Sequence, residues 1–426
     1  MPAIDDLLKE FPPDTRDQLK KAWDALPEPM QKELGGSVKY LPGDLTRWKL
    51  LLDLALPNFK IAFAEKHFIA IVGPANVGKS TLYNLLVRRK EDRAAVSPVP
   101  GTTRVNQEAD AGLFRLVDTP GADAVGEVGD QEKQHALAAA RAADFLVIVY
   151  DALQGIKRAE QELFDELHAL GKPHVVVLNK MDLLGRKDVE PVLDRTAANL
   201  RLQRTQLVPV SARTGQNLED LLVAIAKAEP GLLAALGRAL PAYRWRLAWT
   251  AITGAATTSA AIALAPLPIL DVIPLLAVQS SLVLGIARIY DYNLTPARAR
   301  ELAVTFGLGF LGRTLFQELS KLGGPPGWVL AAAIAASTTV VMGYAAAVWF
   351  ERGEKLTGDS LQKLTRSLTD TLLGSLKSLG GRRPDKAGLE QRLRETLEAG
   401  PLTPAPEAQP GGPAPEPPEP PSREER

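Results

Sequence analysis

The sequence predicts an α/β domain with a mainly parallel sheet, followed by an all-α region. Between residues 66 and 227, five short apolar runs alternate with amphipathic stretches. Near-continuous apolar strands that alternate with helices are typical of a parallel sheet covered on both faces. Residues 238–350 instead contain long stretches without charge, which indicates apolar helices. A chain of 426 residues is long enough for two such domains plus tails.

The individual elements of the α/β domain follow from periodicity and from the Gly, Pro and Asp residues at their ends. The predicted strands cover residues 68–73, 113–118, 145–151, 174–179 and 207–211. Helical patterns cover residues 80–89, 131–143, 159–170 and 217–228.

Four regions are predicted along the chain. Residues 1–60 read as a helical N-terminal extension, because apolar residues recur at helical spacing between prolines. The α/β domain covers 61–230, and a hydrophobic helical domain covers 238–382. Residues 383–426 form a polar tail, which we expect to be disordered from about residue 400, where Pro, Glu, Ala and Gly dominate.

The composition excludes several kinds of chemistry. Fifty basic residues balance 50 acidic ones, which disfavours a protein that coats nucleic acid. The chain has no cysteine, so disulfides, thiolate catalysis and cysteine-ligated zinc are excluded. Its four histidines make no metal-binding spacing. The first residues lack the basic and apolar pattern of a secretory signal, so we expect the chemistry to take place in the cytoplasm.

A phosphate-binding loop is predicted between the first strand and the first helix, where the chain reads GPANVGKS. Glycines at both ends let consecutive N–H groups point inward, and the helix adds its positive end. Lys79 is expected to neutralise phosphate oxygens, and Ser80 to ligate Mg²⁺ through its hydroxyl. The predicted nucleotide contacts here are Gly73, Asn76, Val77, Gly78, Lys79, Ser80 and Thr81.

Two later segments predict contacts to the γ-phosphate and its metal. Asp118, at the end of the second strand, can hold Mg²⁺ through water, and the Gly121 N–H can touch the γ-phosphate. Between them and the phosphate loop, the stretch 97–104 supplies Thr103, which we favour over Thr102 as a further Mg²⁺ ligand. The predicted catalytic contacts are Lys79, Thr103 and Gly121.

The base is predicted to be guanine. Asn179, Lys180 and Asp182 belong to an NKMD sequence at a strand end. The Asp182 carboxylate can accept two hydrogen bonds from guanine, whereas adenine offers neither donor and would leave it unpaired. The Lys180 stem can cover one face of the base, and the backbone at Ser211 and Ala212 can reach its O6 atom.

These motifs, GPANVGKS, PGTTR, DTPG, NKMD and SAR, resemble those of the TrmE–Era–EngA branch of GTPases in order and spacing. The resemblance covers about 170 residues. It implies a six-stranded P-loop NTPase G domain that binds GTP and GDP with Mg²⁺ and hydrolyses GTP.

Two residues bear on the expected mechanism of GTP hydrolysis. Ala122 stands where Ras-like GTPases place the glutamine that orients the attacking water, so another group must act there. Asn76 resembles the asparagine with which potassium-stimulated members of this branch ligate K⁺. The hypothesis is slow intrinsic hydrolysis that K⁺ stimulates, with G-domain dimerisation as a further element; the alternative is that Asn76 is only a polar loop residue.

The stretch 265–294 resembles the signature of an uncharacterised domain that follows G domains in a group of bacterial GTPases, some of them at the inner membrane. The matching residues are Pro266, Pro268, Asp271, Pro274, Gln279 and Tyr290. The chain departs from TrmE, since it lacks the terminal cysteine, and from Era, since no KH-type GXXG module follows the G domain.

Residues 247–270 and 328–350 reach the length that a membrane-spanning helix needs, about 20 residues. Basic residues flank a hairpin formed by 247–270 and 272–287, with Asp271 at its turn, and tryptophans lie near both ends of 328–350. Membrane association is therefore favoured over a soluble, Ala-rich bundle.

The sequence thus predicts a regulatory GTPase switch at or in the cytoplasmic membrane. Its partners are expected to be guanine nucleotide, membrane lipid or a membrane protein, and a second G domain; nucleic acid is less favoured. One alternative is an RNA, ribosome or tRNA-modification assembly GTPase. The other is a GTP-binding membrane scaffold with little turnover.

Overall fold

The computed structural model describes residues 20, 60–62, 68–87, 113–116, 134, 137–264, 272–292, 327–377, 386–399 and 402. The chain divides into two compact units. We call Glu65–Leu240 the GTP unit, because it carries the predicted nucleotide motifs, and Met1–Ala64 together with Pro241–Arg426 the helical unit.

The GTP unit is built on a parallel sheet, as the sequence predicts. The strands are β1 (Ile69–Val72), β2 (Phe114–Leu116), β3 (Phe145–Asp151), β4 (His174–Asn179) and β5 (Leu207–Pro209), in the order β2-β1-β3-β4-β5. Every neighbouring pair is parallel, so all carboxyl ends lie at one edge. The resemblance implies six strands, and the described residues contain five.

The central strand explains why the sheet is covered on both faces. All seven residues of β3 are buried, including the side chains of Phe145 and Tyr150. A strand without a polar alternation cannot face water on either side. Helices must therefore pack on both faces of the sheet.

The helices of the GTP unit are α1 (Lys79–Leu86), α2 (Arg158–Ala169), α3 (Val189–Leu200), α4 (Leu218–Ala228) and α5 (Leu233–Ala239). Residues 137–142 are also helical, and short 3₁₀ turns cover Met181–Leu183, Arg204–Gln206 and Pro230–Leu232. The sequence analysis does not predict α3. Its first turn contains Pro191, which a helix tolerates there because the first N–H groups have no partner within the helix.

The helical unit consists of α6 (Arg244–Leu264), α7 (Val272–Ile289), α8 (Gly327–Arg352), α9 (Gly358–Lys377) and α10 (Lys386–Glu398), with a 3₁₀ turn at Pro241–Tyr243. Helix α8 packs against α6, α7 and α9, and α6 also contacts α7 and α10. The helix α10 lies within the stretch that the sequence analysis assigns to the polar tail, and it buries Leu389, Leu393 and Leu397.

The core of the helical unit contains both close backbone contacts and buried polar bonds. At Gly343 in α8, an added Cβ would lie 2.6 Å from Ile252 Cγ1 and 3.0 Å from Leu282 Cδ2, so glycine lets three helices meet. The Gln279 side chain donates to Thr339 Oγ1 at 3.0 Å, and Thr339 donates to Ser259 Oγ at 2.9 Å. These bonds link α7, α8 and α6 through their buried faces.

A short segment before β1 also belongs to the helical unit. Ile61 is buried, and its Cγ2 lies 2.5 Å from where a Cβ on Gly285 of α7 would stand. Arg288 donates to the Ile61 carbonyl at 3.4 Å. The GTP unit is therefore inserted into the helical unit, which the chain leaves before β1 and enters again after α5.

Among the described residues, one helix is long and apolar enough to cross a membrane: Val329–Arg352. Within its most apolar window, 89% of the residues are buried. The other stretch with that predicted length, 247–270, is helical only to Leu264 in the described part, and this helix does not meet the same criterion.

Several predictions fall on residues outside the described part. They are most of the extension 1–60, the segment 265–271 of the second-domain signature, and the tail beyond residue 400 apart from Leu402.

Candidate nucleotide site

The phosphate loop lies between the end of β1 at Val72 and the start of α1 at Lys79. Its first and last glycines hold backbone conformations that a side chain would block. Gly73 has φ 151°, and a Cβ there would lie 2.2 Å from the Val149 carbonyl oxygen. Gly78 has φ 94°, and its Cβ would lie 2.3 Å from Asn179 Nδ2. Glycine is therefore required at both ends of the loop, where the backbone runs close to β3 and to the Asn179 side chain, and such a loop leaves its backbone N–H groups available to a phosphate.

Charge within the loop is positive. The Lys79 side chain is 4% exposed, and its ammonium group donates to the Pro74 carbonyl oxygen at 2.7 Å. No acidic residue occupies the first turn of α1, so nothing there offsets the positive end of the helix. Ser80 and Thr81 follow within that turn and are partly buried. These groups suit a polyphosphate.

Asn179 ties the phosphate loop to the predicted guanine motif. Its side chain is buried; Nδ2 donates to the Val77 carbonyl at 2.8 Å, and Oδ1 accepts from the Ala212 N–H at 2.9 Å. Both hydrogen-bonding ends of this amide are therefore used within the protein. Three segments far apart in the chain meet at this one side chain.

Asp182 is held in place by Ser211. The Ser211 hydroxyl donates to Asp182 Oδ1 at 2.6 Å and accepts from the Thr214 N–H at 3.2 Å. This fixes the carboxylate beside the loop 211–213, whose backbone the sequence analysis expects to reach guanine. A carboxylate fixed before the base arrives loses little conformational freedom when it binds.

Lys180 makes two contacts through its ammonium group. It donates to the Asn76 carbonyl oxygen at 2.6 Å and to Asp151 Oδ2 at 2.5 Å. Asn76 and Lys180 both have left-handed backbone conformations, with φ 62° and 68°. The side chain of Asn76 is exposed.

The sequence analysis missed Asp151. This residue ends β3 and pairs in register with Asn179, the last residue of β4. Since the carboxyl ends of adjacent parallel strands meet at one edge, its position in the predicted strand 145–151 was a usable signal.

Tyr150 anchors the same end of β3. Burial raises the pKa of its phenol, and the nearby carboxylates of Glu160 and Asp165 raise it further. The hydroxyl therefore stays protonated at physiological pH and donates to the Glu160 carbonyl oxygen at 3.2 Å. This bond joins β3 to α2 on the residue next to Asp151.

The structure brings together twelve of the predicted site residues: Gly73, Asn76, Val77, Gly78, Lys79, Ser80, Thr81, Asn179, Lys180, Asp182, Ser211 and Ala212. Thr103, Asp118, Gly121 and Ala122 lie outside the described residues. The described geometry thus covers the phosphate loop and the predicted guanine motif.

Two family models match this chain. Residues 68–180 match the family described as 50S ribosome-binding GTPase. Together with the phosphate loop and the parallel sheet, this match decides the class of the domain. Residues 68–180 are a P-loop GTPase domain of the Era and Der type. Residues 244–375 match a domain of unknown function (DUF697), which covers most of the helices of the helical unit.

Curated relatives match the GTPase domain. GTPase Der from Clostridium perfringens is 36% identical over 171 residues, which is 36% of this chain and 37% of the relative. GTPase Era from Aquifex aeolicus is 34% identical over 180 residues, which is 38% of this chain and 56% of the relative. The chain therefore spans between one third and just over one half of the length of these relatives.

Solved structures are similar to part of the chain. A variant of Era from Aquifex aeolicus bound to GDP and AlF4⁻ has 28% identity and a TM-score of 0.33, over 48% of this chain and 69% of that one. Era in complex with MgGDPNP and a segment of 16S ribosomal RNA has 27% identity and a TM-score of 0.32, over 45% and 67%.

Proposed function

We propose that the protein binds guanine nucleotide, hydrolyses GTP and works as a switch that is coupled to its helical unit. The observation that carries this proposal is the set of bonds around Asn179. They join the phosphate loop to Ala212, and the neighbouring Ser211 holds the Asp182 carboxylate that we assign to guanine. The family match of residues 68–180 and the relatives named GTPase support the hydrolytic activity.

The proposed roles follow from the chemistry of each group. Backbone N–H groups between Gly73 and Lys79 bind the phosphates, and Lys79 offsets their charge as it builds up on the γ-phosphate. Asp182 selects guanine. Mg²⁺, where bound, withdraws charge from the β- and γ-phosphates, and Ser80, Thr103 and Asp118 are its proposed ligands. The Gly121 N–H is the proposed γ-phosphate contact.

Binding and turnover are the direct test. The full chain should bind GDP and GTP with Mg²⁺ and should not bind ADP, and it should release phosphate from GTP over many turnovers. Intact GTP binding with negligible turnover would favour the alternative of a GTP-binding scaffold. Equal affinities for GDP and ADP would contradict the guanine assignment.

The inserted arrangement supports the coupling. The chain passes between the two units twice, at the Ala64–Glu65 boundary and at the Leu240–Pro241 boundary. In GTPase switches, a segment that the γ-phosphate orders and hydrolysis releases passes the nucleotide state to neighbouring elements. We further propose that two GTP units associate in the GTP state, which the sedimentation behaviour of the protein with a non-hydrolysable GTP analogue would test.

We also propose that the helical unit lies at or in the cytoplasmic membrane. The apolar length of Val329–Arg352 supports this, as do the small residues and hydroxyl bonds at the contacts of α6, α7 and α8, which suit helix packing in lipid. Helix α9 packs on α8 with charged residues such as Lys363 and Arg366 exposed, so that side of the unit faces water. The same burial of α8 also fits the core of a soluble bundle.

Detergent-free fractionation distinguishes a membrane-associated helical unit from a soluble helical bundle. Membrane association predicts that the protein sediments with membranes, and washes with salt and then with alkaline carbonate distinguish a peripheral from an integral position. A protein found wholly in the soluble fraction would exclude the membrane part and leave the GTPase part intact.

A second candidate function comes from the partners named for similar proteins. The family model is described as a ribosome-binding GTPase, and one Era structure contains 16S ribosomal RNA. If this chain acts in the same way, it should sediment with ribosomal particles in a GTP-dependent and salt-dependent manner. The zero net charge and the helical second unit favour the first proposal.

A further inference from the structure

The side chain of Asp151 lies beneath the guanine motif in the GTP unit. It is 3% exposed, and it comes from β3 rather than from any of the recognised nucleotide motifs. A buried carboxylate without a partner would be unfavourable, so its two oxygens must be satisfied within the protein.

Both oxygens of Asp151 have partners. Oδ1 accepts from the Leu153 N–H at 2.9 Å, which fixes the direction of the carboxylate. Oδ2 accepts from the Lys180 ammonium group at 2.5 Å. One oxygen thus orients the side chain, and the other makes a charge-assisted bond of the stronger kind.

The ammonium group of Lys180 is in turn held between two segments. It contacts Asp151 on β3 and the Asn76 carbonyl oxygen of the phosphate loop. A lysine side chain has four rotatable bonds and loses up to about 2 kcal/mol of conformational freedom when it is fixed. Fixing it at its far end leaves the methylene stem in one position, with 28% of the side chain exposed.

We infer that Asp151 is a positioning residue for guanine nucleotide. It holds the ammonium group of Lys180 against the phosphate loop and thereby fixes the Lys180 stem in place for the base. This inference rests on the proposed function, because it takes the Lys180 stem as part of the base pocket. Asp151 does not touch the nucleotide; its effect passes through Lys180.

The test substitutes Asp151→Asn in the full-length protein and measures affinity for fluorescent GDP with Mg²⁺. Asparagine keeps the acceptor for Leu153 and removes the charge that holds Lys180. The affinity should fall by roughly 10- to 100-fold, the range for losing a hydrogen bond to a charged group. Lys180→Ala should also weaken binding, and D151N should then change the affinity less than about two-fold in that background, because the two residues act as one.

Asp144→Asn is the matched control. Asp144 lies just before the amino end of the same strand, whereas Asp151 lies at its carboxyl end. The Oδ2 atom of Asp144 accepts from the Phe68 N–H at 2.9 Å. D144N should leave GDP affinity within about two-fold of the wild type, whatever it does to the melting temperature.

Other outcomes separate this inference from the proposed function. A wild-type chain that does not bind GDP overturns both. If the wild type binds GDP and D151N binds it equally well, only the positioning role is overturned. The same follows if D151N lowers GDP affinity as much in the K180A background as in the wild type. If D151N does not fold, Asp151→Glu and Asp151→Gln, whose side chains are one methylene longer, repeat the comparison of charged with neutral. D151E must bind GDP more tightly than D151Q, and equal binding overturns the positioning role.

Discussion

At the scale of single residues, the candidate site depends on polar side chains that the protein itself holds in position. Asn179 uses both ends of its amide within the fold, and Asp182 is fixed by Ser211. Such groups bind a ligand without first losing conformational freedom, and they penalise a base that cannot pair with them.

Asp182→Asn should exchange the base that the site prefers. Asparagine keeps one acceptor oxygen but loses the charge, and its NH₂ group faces a guanine donor. Hydrogen bonds to a charged group are each worth roughly 1.5–3 kcal/mol, so losing one and weakening the other should lower GDP affinity by about 10³-fold. Xanthine carries an oxygen where guanine has its amino group, and the asparagine amide can donate to it. Competition of GDP and XDP against a fluorescent nucleotide measures the exchange.

Asp220→Asn is a control for that experiment, because Asp220 is exposed in the first turn of α4. It removes the same charge outside the site and should leave both affinities unchanged. A D182N variant that still prefers GDP would contradict the assignment of Asp182.

Asn76→Ala should remove any stimulation of GTP hydrolysis by potassium. The Asn76 side chain is exposed at the phosphate loop, and K⁺ beside the phosphates would supply charge that arginine supplies in other GTPases. We expect a faster steady-state rate in KCl than in NaCl for the wild type, and equal rates for N76A. Equal rates in both salts for the wild type would exclude the potassium hypothesis.

At the scale of elements, the strands followed from the sequence because each is an apolar run with a turn residue at its end. The predictions for 145–151 and 174–179 match β3 and β4 residue for residue. Helix α3 was not predicted, because it contains Pro191 and its apolar stripe is weak. Its buried face, which includes Leu193, Ala197 and Leu200, is recognised only in the structure.

The site could be predicted where a motif concentrates its chemistry in consecutive residues, as in GPANVGKS and NKMD. Asp151 could not be recognised in this way, because its role depends on pairing between β3 and β4 and on a lysine 29 residues away. The contact of Ile61 with Gly285 is a packing relation between distant segments, and no local pattern indicates it.

Gly343→Ala should destabilise the helical unit. The new Cβ would lie 2.6 Å from Ile252 Cγ1 and 3.0 Å from Leu282 Cδ2, so the Ile252 side chain must move and the Leu282 side chain must give way. Overpacking of this kind costs about 1–3 kcal/mol, whereas the higher helix propensity of alanine returns about 0.5–1 kcal/mol. We expect a net loss of about 1–2 kcal/mol in the free energy of unfolding.

Gly374→Ala is the matched control, because an added Cβ there meets nothing within 4 Å. It should stabilise α9 by up to about 1 kcal/mol. Tryptophan fluorescence during denaturant unfolding measures both variants, since all six tryptophans lie outside residues 65–240. A G343A variant as stable as G374A would contradict the close packing of the three helices.

At the scale of the whole molecule, the important feature is that the GTP unit is inserted into the helical unit. Residues 60–62 pack on α7, and the chain after α5 continues into α6. The helical unit is therefore composed of chain from both sides of the GTP unit.

Tryptophan fluorescence can test the coupling in the intact chain. The GTP unit contains no tryptophan, whereas Trp249 is buried in α6 and Trp245 packs edge-on against Tyr344 at a centroid distance of 5.7 Å. Replacing GDP by a non-hydrolysable, unlabelled GTP analogue should change the tryptophan emission if the nucleotide state reaches the helical unit. Adding ADP or its triphosphate analogue should change nothing, because neither base pairs with Asp182. Identical spectra with saturating GDP and saturating GTP analogue would show that the GTP unit does not act on the helices, and the coupling proposal would then be wrong while guanine binding remained.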